Sequence, residues 1–135
     1  MSNILYIVVP CYNEQEVLPE TSKRLREKVQ TLRQSGKIDA DSRILFVNDG
    51  SKDATWEMIQ KLHEENSVFS GVNISRNRGH QNALLAGIAV AAEHADMIVS
   101  MDADLQDDVE AMDRMIDAYE AGNDSVYGVR SSRQK

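Results

Sequence analysis

Residues 4–9 read Ile-Leu-Tyr-Ile-Val-Val, an apolar run rich in β-branched side chains with no polar alternation. A run so short and so uniformly apolar suits a strand buried on both faces, as in a parallel sheet. Pro10 is expected to end it. Similar runs return at 43–47, 95–101 and 125–129, and residues 68–75 contain another, weakened by Gly71 and Asn73. Helical patterns separate them. From Glu14 onward, Val17, Leu18, Thr21, Leu25, Val29 and Leu32 share one helical face, and Gly36 marks the stop. Asp53 is placed to cap a helix carrying Trp56, Ile59 and Leu62. Residues 82–93 are alanine-rich, with Leu84, Leu85, Ile88 and Val90 as expected packing residues. Gly87 is costly inside that helix by propensity, so it is expected to mark close helix–sheet packing. Asp107 or Asp108 caps a last helix with Val109, Met112, Ile116 and Tyr119 on one face. Strands that alternate with helices predict a three-layer α/β/α fold with a mainly parallel sheet and right-handed crossovers.

In such sheets ligands bind beyond the C-terminal ends of the strands. Four of the five ends are conspicuously polar here. They are Pro10-Cys11-Tyr12-Asn13-Glu14, Asn48-Asp49-Gly50-Ser51, Ser75-Arg76-Asn77-Arg78-Gly79-His80 and Asp102-Ala103-Asp104-Leu105-Gln106. Asp102 and Asp104 lie one residue apart where the fourth strand stops. Two such carboxylates repel unless a cation lies between them. Oxygen ligands suit Mg2+ or Mn2+, ions that usually also hold substrate phosphates. A ring at Tyr12, carboxylates at Glu14 and Asp49, cations at Arg76 and Arg78 and a metal pair would together accept a nucleotide diphosphate.

Composition narrows the partners. With 135 residues the chain can build one domain with a real core, and its formal charge of -7 argues against binding nucleic acid or anionic membrane nonspecifically. No apolar stretch is long enough to span a bilayer, and the N-terminus lacks the basic leader of a signal peptide. The single cysteine, Cys11, excludes an internal disulfide and a cysteine-based zinc cluster, so a reducing, cytoplasmic setting is expected. There is no Gly-x-Gly-x-x-Gly, no Gly-x-x-x-x-Gly-Lys-Ser/Thr and no Gly-x-Ser-x-Gly, which removes dinucleotide, P-loop and nucleophile-elbow sites.

The four polar strand ends, in order, resemble family 2 glycosyltransferases of the GT-A fold, in the branch of the dolichyl-phosphate mannose synthases and bacterial polyprenyl-phosphate glucosyltransferases. The resemblance runs from the first strand to residue 135. It implies that residues 1–135 are the Rossmann-like, nucleotide-sugar-binding part of such an enzyme. It further implies a metal-dependent, inverting transfer from a nucleotide-sugar donor, a UDP-sugar by preference, to a polyprenyl phosphate acceptor. By the same resemblance Pro10, Tyr12 and Glu14 line the nucleoside pocket and Asp49 hydrogen-bonds the base. Arg78 and Gly79 approach the base or phosphate edge, and Ala103 joins the nucleotide site. Asp102 and Asp104 become the catalytic Asp-x-Asp pair and metal ligands, with Gln106 completing the shell of Mg2+ or Mn2+. Arg130 faces the phosphates or the acceptor. Relatives often carry Asp where Asn48 stands, and Pro-Pro where Asp108-Val109 stands. The acceptor half and the membrane helices of that branch are expected beyond residue 135, with the parent protein attached to the cytoplasmic face of a membrane. A homo-oligomer is compatible with this reading.

Simpler roles stand beside these. Tyr12 also suits packing at a strand end, and Asp49 an Asx turn before Gly50. Arg76 and Arg78 suit a solvated surface, His80 a helix cap, and His63 and His94 the surface. Cys11 reads as a packing residue, since no basic partner adjoins it in sequence. Two other functions remain open on sequence alone: a non-catalytic nucleotide-binding module of this fold, and a metal-dependent nucleotidyltransferase.

Overall fold

The computed structural model describes residues 3–104 and 111–120. The expected fifth strand at 125–129, the caps at Asp107 or Asp108, and Gln106 and Arg130 lie outside these residues. Among the described residues four strands and four helices alternate: β1 (Leu5–Cys11), α1 (Leu18–Gln34), β2 (Arg43–Asp49), α2 (Thr55–Glu65), β3 (Phe69–Ile74), α3 (His80–Ala92), β4 (Met97–Ser100) and α4 (Ala111–Glu120). The strands form one sheet in the order β3-β2-β1-β4, and every pairing is parallel. The expected α/β class and mainly parallel sheet are what the described residues form.

β1 is paired on both edges, Tyr6 to Cys11 against Arg43 to Asn48 and Leu5 to Val8 against Met97 to Ser100. It is buried on both faces as well. Leu5, Ile7 and Val9 join α1, α2 and α4 in the larger core through Leu18, Leu25, Ile59, Met112 and Ile116. Val8 points the other way and packs with Leu45, Val47, Ala83 and Ala91 under α3. Alternating Cβ directions make one strand serve both cores. This double burial is why the run at 4–9 shows no polar alternation.

The expectation for Pro10 is corrected: the strand continues through Pro10 to Cys11. Val8 accepts a hydrogen bond from the Met101 N–H, so the peptide groups of alternate residues face β4. Pro10 shares that side beyond the last residue of β4, where a missing N–H costs the ladder nothing. β2 likewise runs through Asn48 and Asp49 and does not turn there, because Asp49 still pairs with Ile74 of β3. Asp53 sits one residue before the N-cap Ala54 yet performs a capping role, its Oδ1 accepting from the Thr55 N–H at 3.0 Å.

α3 begins at His80, two residues earlier than its periodicity implies, and its packing face differs from expectation. Ala83, Gly87 and Ala91, spaced by four, face the sheet, while Leu85 is 61% and Val90 37% exposed. The reason is distance. A Cβ on Gly87 would stand 2.5 Å from Val8 Cγ1 and 2.7 Å from Val47 Cγ2. A helix this close needs small residues against the sheet, which turns two of its large ones outward. The expected close approach at Gly87 is therefore present, and it explains the misplaced leucine and valine.

Gly87→Ala separates packing from propensity. Alanine would stabilise an unhindered helix by about 1 kcal/mol, whereas overpacking against stiff β-branched neighbours costs about 1–3 kcal/mol. The variant should unfold at lower denaturant than the parent; an equal or higher midpoint would show that α3 has room to lift.

Candidate active site

The chain order reverses at β1, which has β2 on one side and β4 on the other. α1 and α3 leave for opposite faces, so a crevice opens beyond the C-terminal ends of β1 and β4. A cleft of about 220 Å³ lies beside that crevice, beyond β1 and β2, lined among others by Pro10, Tyr12, Glu14, Asp49, Gly79 and His80, with none of Asp102, Ala103 and Asp104 in its lining. A larger one of about 420 Å³ lies between α2 and β3, lined by Trp56, Ile59, His63 and Gly71 among others. The smaller cleft is the better candidate, because the polar ends of β1, β2 and β3 converge on it and the larger one lies beside β3, at the edge of the described sheet.

The loop after β1 is fastened to the loop after β2 by side chain–backbone bonds. Asn13 adopts a φ of 53°, a left-handed conformation that asparagine tolerates better than most residues. Its N–H donates to Ser51 Oγ at 2.9 Å and its Oδ1 accepts from the Lys52 N–H at 2.8 Å. The Glu14 N–H donates to Thr55 Oγ1 at 2.8 Å. Gln15 accepts from the Ala54 N–H through Oε1 at 2.9 Å, and its own N–H reaches Asp53 Oδ2 at 3.3 Å. These bonds satisfy loop amides and hold Tyr12 and Glu14 at the cleft.

Asp49 anchors the next loop. It is buried, and its carboxylate accepts from the Arg78 N–H at 2.7 Å through Oδ1 and from the Gly79 N–H at 3.1 Å through Oδ2. Each oxygen keeps further acceptor capacity toward the cleft. Gly50 has a φ of 67°, and a Cβ there would meet the Asn77 backbone nitrogen at 2.3 Å. Neighbouring Asn48 is also buried; it donates to Asn73 Oδ1 at 2.8 Å and accepts from the Ser51 N–H at 3.3 Å. The Asn48-Asp49-Gly50-Ser51 segment thus holds both flanking loops.

At the end of β4, Asp102 and Ala103 are buried and Asp104 is exposed. The Thr21 hydroxyl of α1 donates to the Ala103 carbonyl between the two aspartates. Burial, then the charges of Asp104 and Asp53, raises the proton affinity of the Glu14 carboxyl above its ordinary value. Asp104 and Glu14, from opposite sides of the reversal, therefore feel one another. Among the described residues no three His, Cys, Asp or Glu side chains converge closely enough to hold a metal ion alone. Yet Asp102 and Asp104 are hard oxygen donors of the kind that bind Mg2+ or Mn2+ through one or two carboxylates, the remaining positions going to water and substrate phosphates. The donor set fits such an ion.

The structure gathers Pro10, Tyr12, Glu14, Asp49 and Gly79 around one cleft. Tyr12 is 42% exposed there, so it is no core residue. Arg76 and Arg78 have exposed side chains, Arg78 being held through its backbone. His80 starts α3, with Gly79 at the N-cap position. His94 is exposed and stacks on Tyr6, while His63 Nδ1 lies 2.6 Å from the Phe69 carbonyl oxygen. Cys11 is buried; desolvation first, and Glu14 second, push its thiol well above the ordinary range, which favours the neutral thiol of a packing residue. Sequence reasoning missed the scaffolding roles of Asn13, Gln15, Thr21, Ser51 and Thr55. Asn13 alone carried a local signal, as a residue suited to positive φ.

The sequence profile described as Glycosyl transferase family 2 matches residues 6–135. The chain is 47% identical over 131 residues to an uncharacterized glycosyltransferase, YkoT, of Bacillus subtilis, covering 97% of this chain and 39% of the relative. It is 37% identical over 127 residues to the bactoprenol glucosyl transferase of Shigella phage SfV, covering 94% of this chain and 39% of the relative. The chain thus spans about two fifths of the length of these relatives. In three dimensions it is similar to S. aureus TarS 1-349 in complex with UDP, with a TM-score of 0.58 and 17% identity over 87% of this chain and 33% of that one. A mannosyltransferase of Pyrobaculum calidifontis, PcManGT, in complex with GDP-Man and Mn2+, has a TM-score of 0.51 and 20% identity over 77% of this chain and 28% of that one. The shared fold is that of GT-A glycosyltransferases.

Two substitutions test this geometry. Asp49→Asn sets an amide donor against one of the two loop N–H groups, so it should cost about 1–3 kcal/mol and speed amide exchange at Arg78 and Gly79 above the rest of the sheet. Unchanged exchange there would refute the clamp. Glu14 binds its proton more tightly in the native chain than unfolded, so its contribution to stability is complete below its ordinary value of 4.5 and is lost as pH rises through the raised native value. Glu14→Gln should therefore melt a few degrees above the parent at neutral pH, the gap closing as the pH falls toward 4.5. A variant that melts lower at neutral pH would contradict the cost assigned to Glu14.

Proposed function

The chain belongs to glycosyl transferase family 2, and on that premise we propose that it is the donor half of a metal-dependent, inverting glycosyltransferase that uses a UDP-sugar. The observation that carries this reading is the gathering of Tyr12, Glu14 and the Asp49-anchored loop around one cleft, with Asp104 near enough for its charge to raise the proton affinity of Glu14. Tyr12 offers an exposed ring to the uracil. Pro10 and Glu14 line the nucleoside pocket, and Asp49 uses its remaining acceptor capacity on the base. Asp49 also fixes the Arg78–Gly79 backbone, which borders the base or the phosphates, and Ala103 is assigned to the nucleotide site by the family resemblance alone. Asp102 and Asp104, joined by Gln106, would hold Mg2+ or Mn2+ against the diphosphate. When bound, the ion supplies positive charge where the departing diphosphate develops negative charge.

In an inverting transfer the acceptor oxygen bonds to the anomeric carbon as the bond to the diphosphate breaks. The relative named as a bactoprenol glucosyl transferase supports a polyprenyl phosphate as that acceptor, and Arg130 is assigned to its phosphate or to the donor's. The buried free cysteine Cys11 suits a reducing, cytoplasmic location for the donor half. Among the described residues no helix is long and apolar enough to cross a membrane.

Calorimetric titration with UDP and GDP, each with Mn2+ and with EDTA, tests the reading. UDP should bind, Mn2+ should strengthen it, and Asp104→Ala should remove a gain on the order of tenfold or more. Binding of GDP in place of UDP would overturn the base assignment. A folded chain that binds neither nucleotide would overturn the donor site. Release of pyrophosphate from a nucleoside triphosphate would favour nucleotidyl transfer.

A further inference from the structure

We propose that helix α1 sets the position of the acid pair, and that Thr21 is its positioning residue. This rests on the donor-site reading above, since it concerns how Asp102 and Asp104 are held toward a divalent ion. α1 is tied at successive heights to the chain around and beyond the acid pair. The Thr21 hydroxyl donates to the Ala103 carbonyl. Two turns on, Lys28 Nζ lies 2.7 Å from Asp113 Oδ2. Beyond the helix end, Lys37 Nζ lies 3.0 Å from Asp117 Oδ1. The same helix begins just after Glu14, whose amide is fixed to Thr55. One rigid element therefore refers both carboxylate-bearing loops to a common frame.

Thr21 carries most of this burden. The two lysine pairs reach partners 37% and 59% exposed, where solvent weakens an ion pair. Thr21 and Ala103 are both buried, so their bond is shielded from water. The carbonyl it holds belongs to the residue between Asp102 and Asp104. Fixing that peptide limits the torsions through which the two carboxylates could separate. β4 itself ends at Ser100, and its last backbone anchor is the Met101 N–H on the Val8 carbonyl. The acid pair thus lies past the end of β4, where Thr21 holds the peptide between its two members. Groups that orient metal ligands in this way matter nearly as much as the ligands.

Thr21→Val keeps the shape and removes the donor; Thr21→Ser keeps the donor. Two readouts are needed, both on the intact chain. One is amide exchange at Asp102 to Asp104 relative to β1 and β2. The other is the Mn2+-dependent part of UDP affinity, taken as the ratio of binding with Mn2+ to binding with EDTA. The expected result for Thr21→Val is faster exchange confined to Asp102–Asp104 and a ratio reduced about tenfold or more, with EDTA-resistant binding unchanged and both readouts restored in Thr21→Ser. Gly87→Ala serves as the control, since it lowers stability from the other face of the sheet and should leave the ratio alone. An unchanged ratio in Thr21→Val, or one that falls equally in Gly87→Ala, overturns the positioning role while leaving the donor site standing. A parent chain that binds UDP with no Mn2+-dependent gain overturns the metal dependence of the proposed function, and this inference with it.

Discussion

Everything in this fold is referred to β1, because that strand is hydrogen-bonded along both edges and buried on both faces. Leu5, Ile7, Val8 and Val9 are completely sealed from solvent. Burial of side chains of this size is worth about 1.5–3 kcal/mol each. The arrangement also imposes a geometry. Strands added to opposite edges of β1, with their helices on opposite faces, leave a gap at its C-terminal end that no connection crosses. The crevice is thus a product of strand order and would exist with other side chains around it. What makes it a site is the chemistry placed on its rim.

That rim is held by bonds between loops and owes little to burial. Asn13 with Ser51 and Lys52, Glu14 with Thr55, and Asp49 with Arg78 and Gly79 all join residues of different connections. Each uses a short polar side chain to satisfy an amide that no strand can reach. Most of these residues lie in the polar strand ends on which the family resemblance rests. Much of such a motif therefore encodes the mutual positions of loops, and only part of it is left for the ligand.

This explains what the sequence made legible. Uniform apolar runs revealed the parallel sheet, because double burial leaves its mark residue by residue. Gly87 revealed close packing, because a helix-interior glycine needs a reason. The direction that α3 faces was hidden, since the rule that large apolar residues pack inward fails where the closest approach to the sheet is filled by Ala83, Gly87 and Ala91 and leaves Leu85 exposed. The reach of β1 through Pro10 was hidden because proline's position relative to a neighbouring strand is a property of the sheet. The scaffold bonds were hidden for a similar reason: Thr21 and Ala103 stand 82 residues apart, and nothing local marks either as the other's partner. The polar strand ends could be collected from sequence once the class of fold was read, and the structure adds which of them hold one another.

Electrostatics and stability oppose each other at the rim. The chain is acidic overall, and Glu14 and Asp104 add to that at short range. A pocket that raises a carboxyl's proton affinity is strained in its empty, ionised state, and functional sites concentrate such groups.

The register of β4 has a consequence for how the molecule comes into being. β1, β2 and β3 pair in chain order, each joined to the next by a single helix, so a three-stranded sheet can grow by short closures. β4 instead returns past two finished strands to lie beside β1, matching Leu5 with Met97. Contacts so distant along the chain form late and slowly. The acid pair follows the end of that strand, so the crevice gains its carboxylate pair only after the other three described strands have paired. A stalled folding intermediate would hold most of the core and the loops that line the cleft, but not the acid pair.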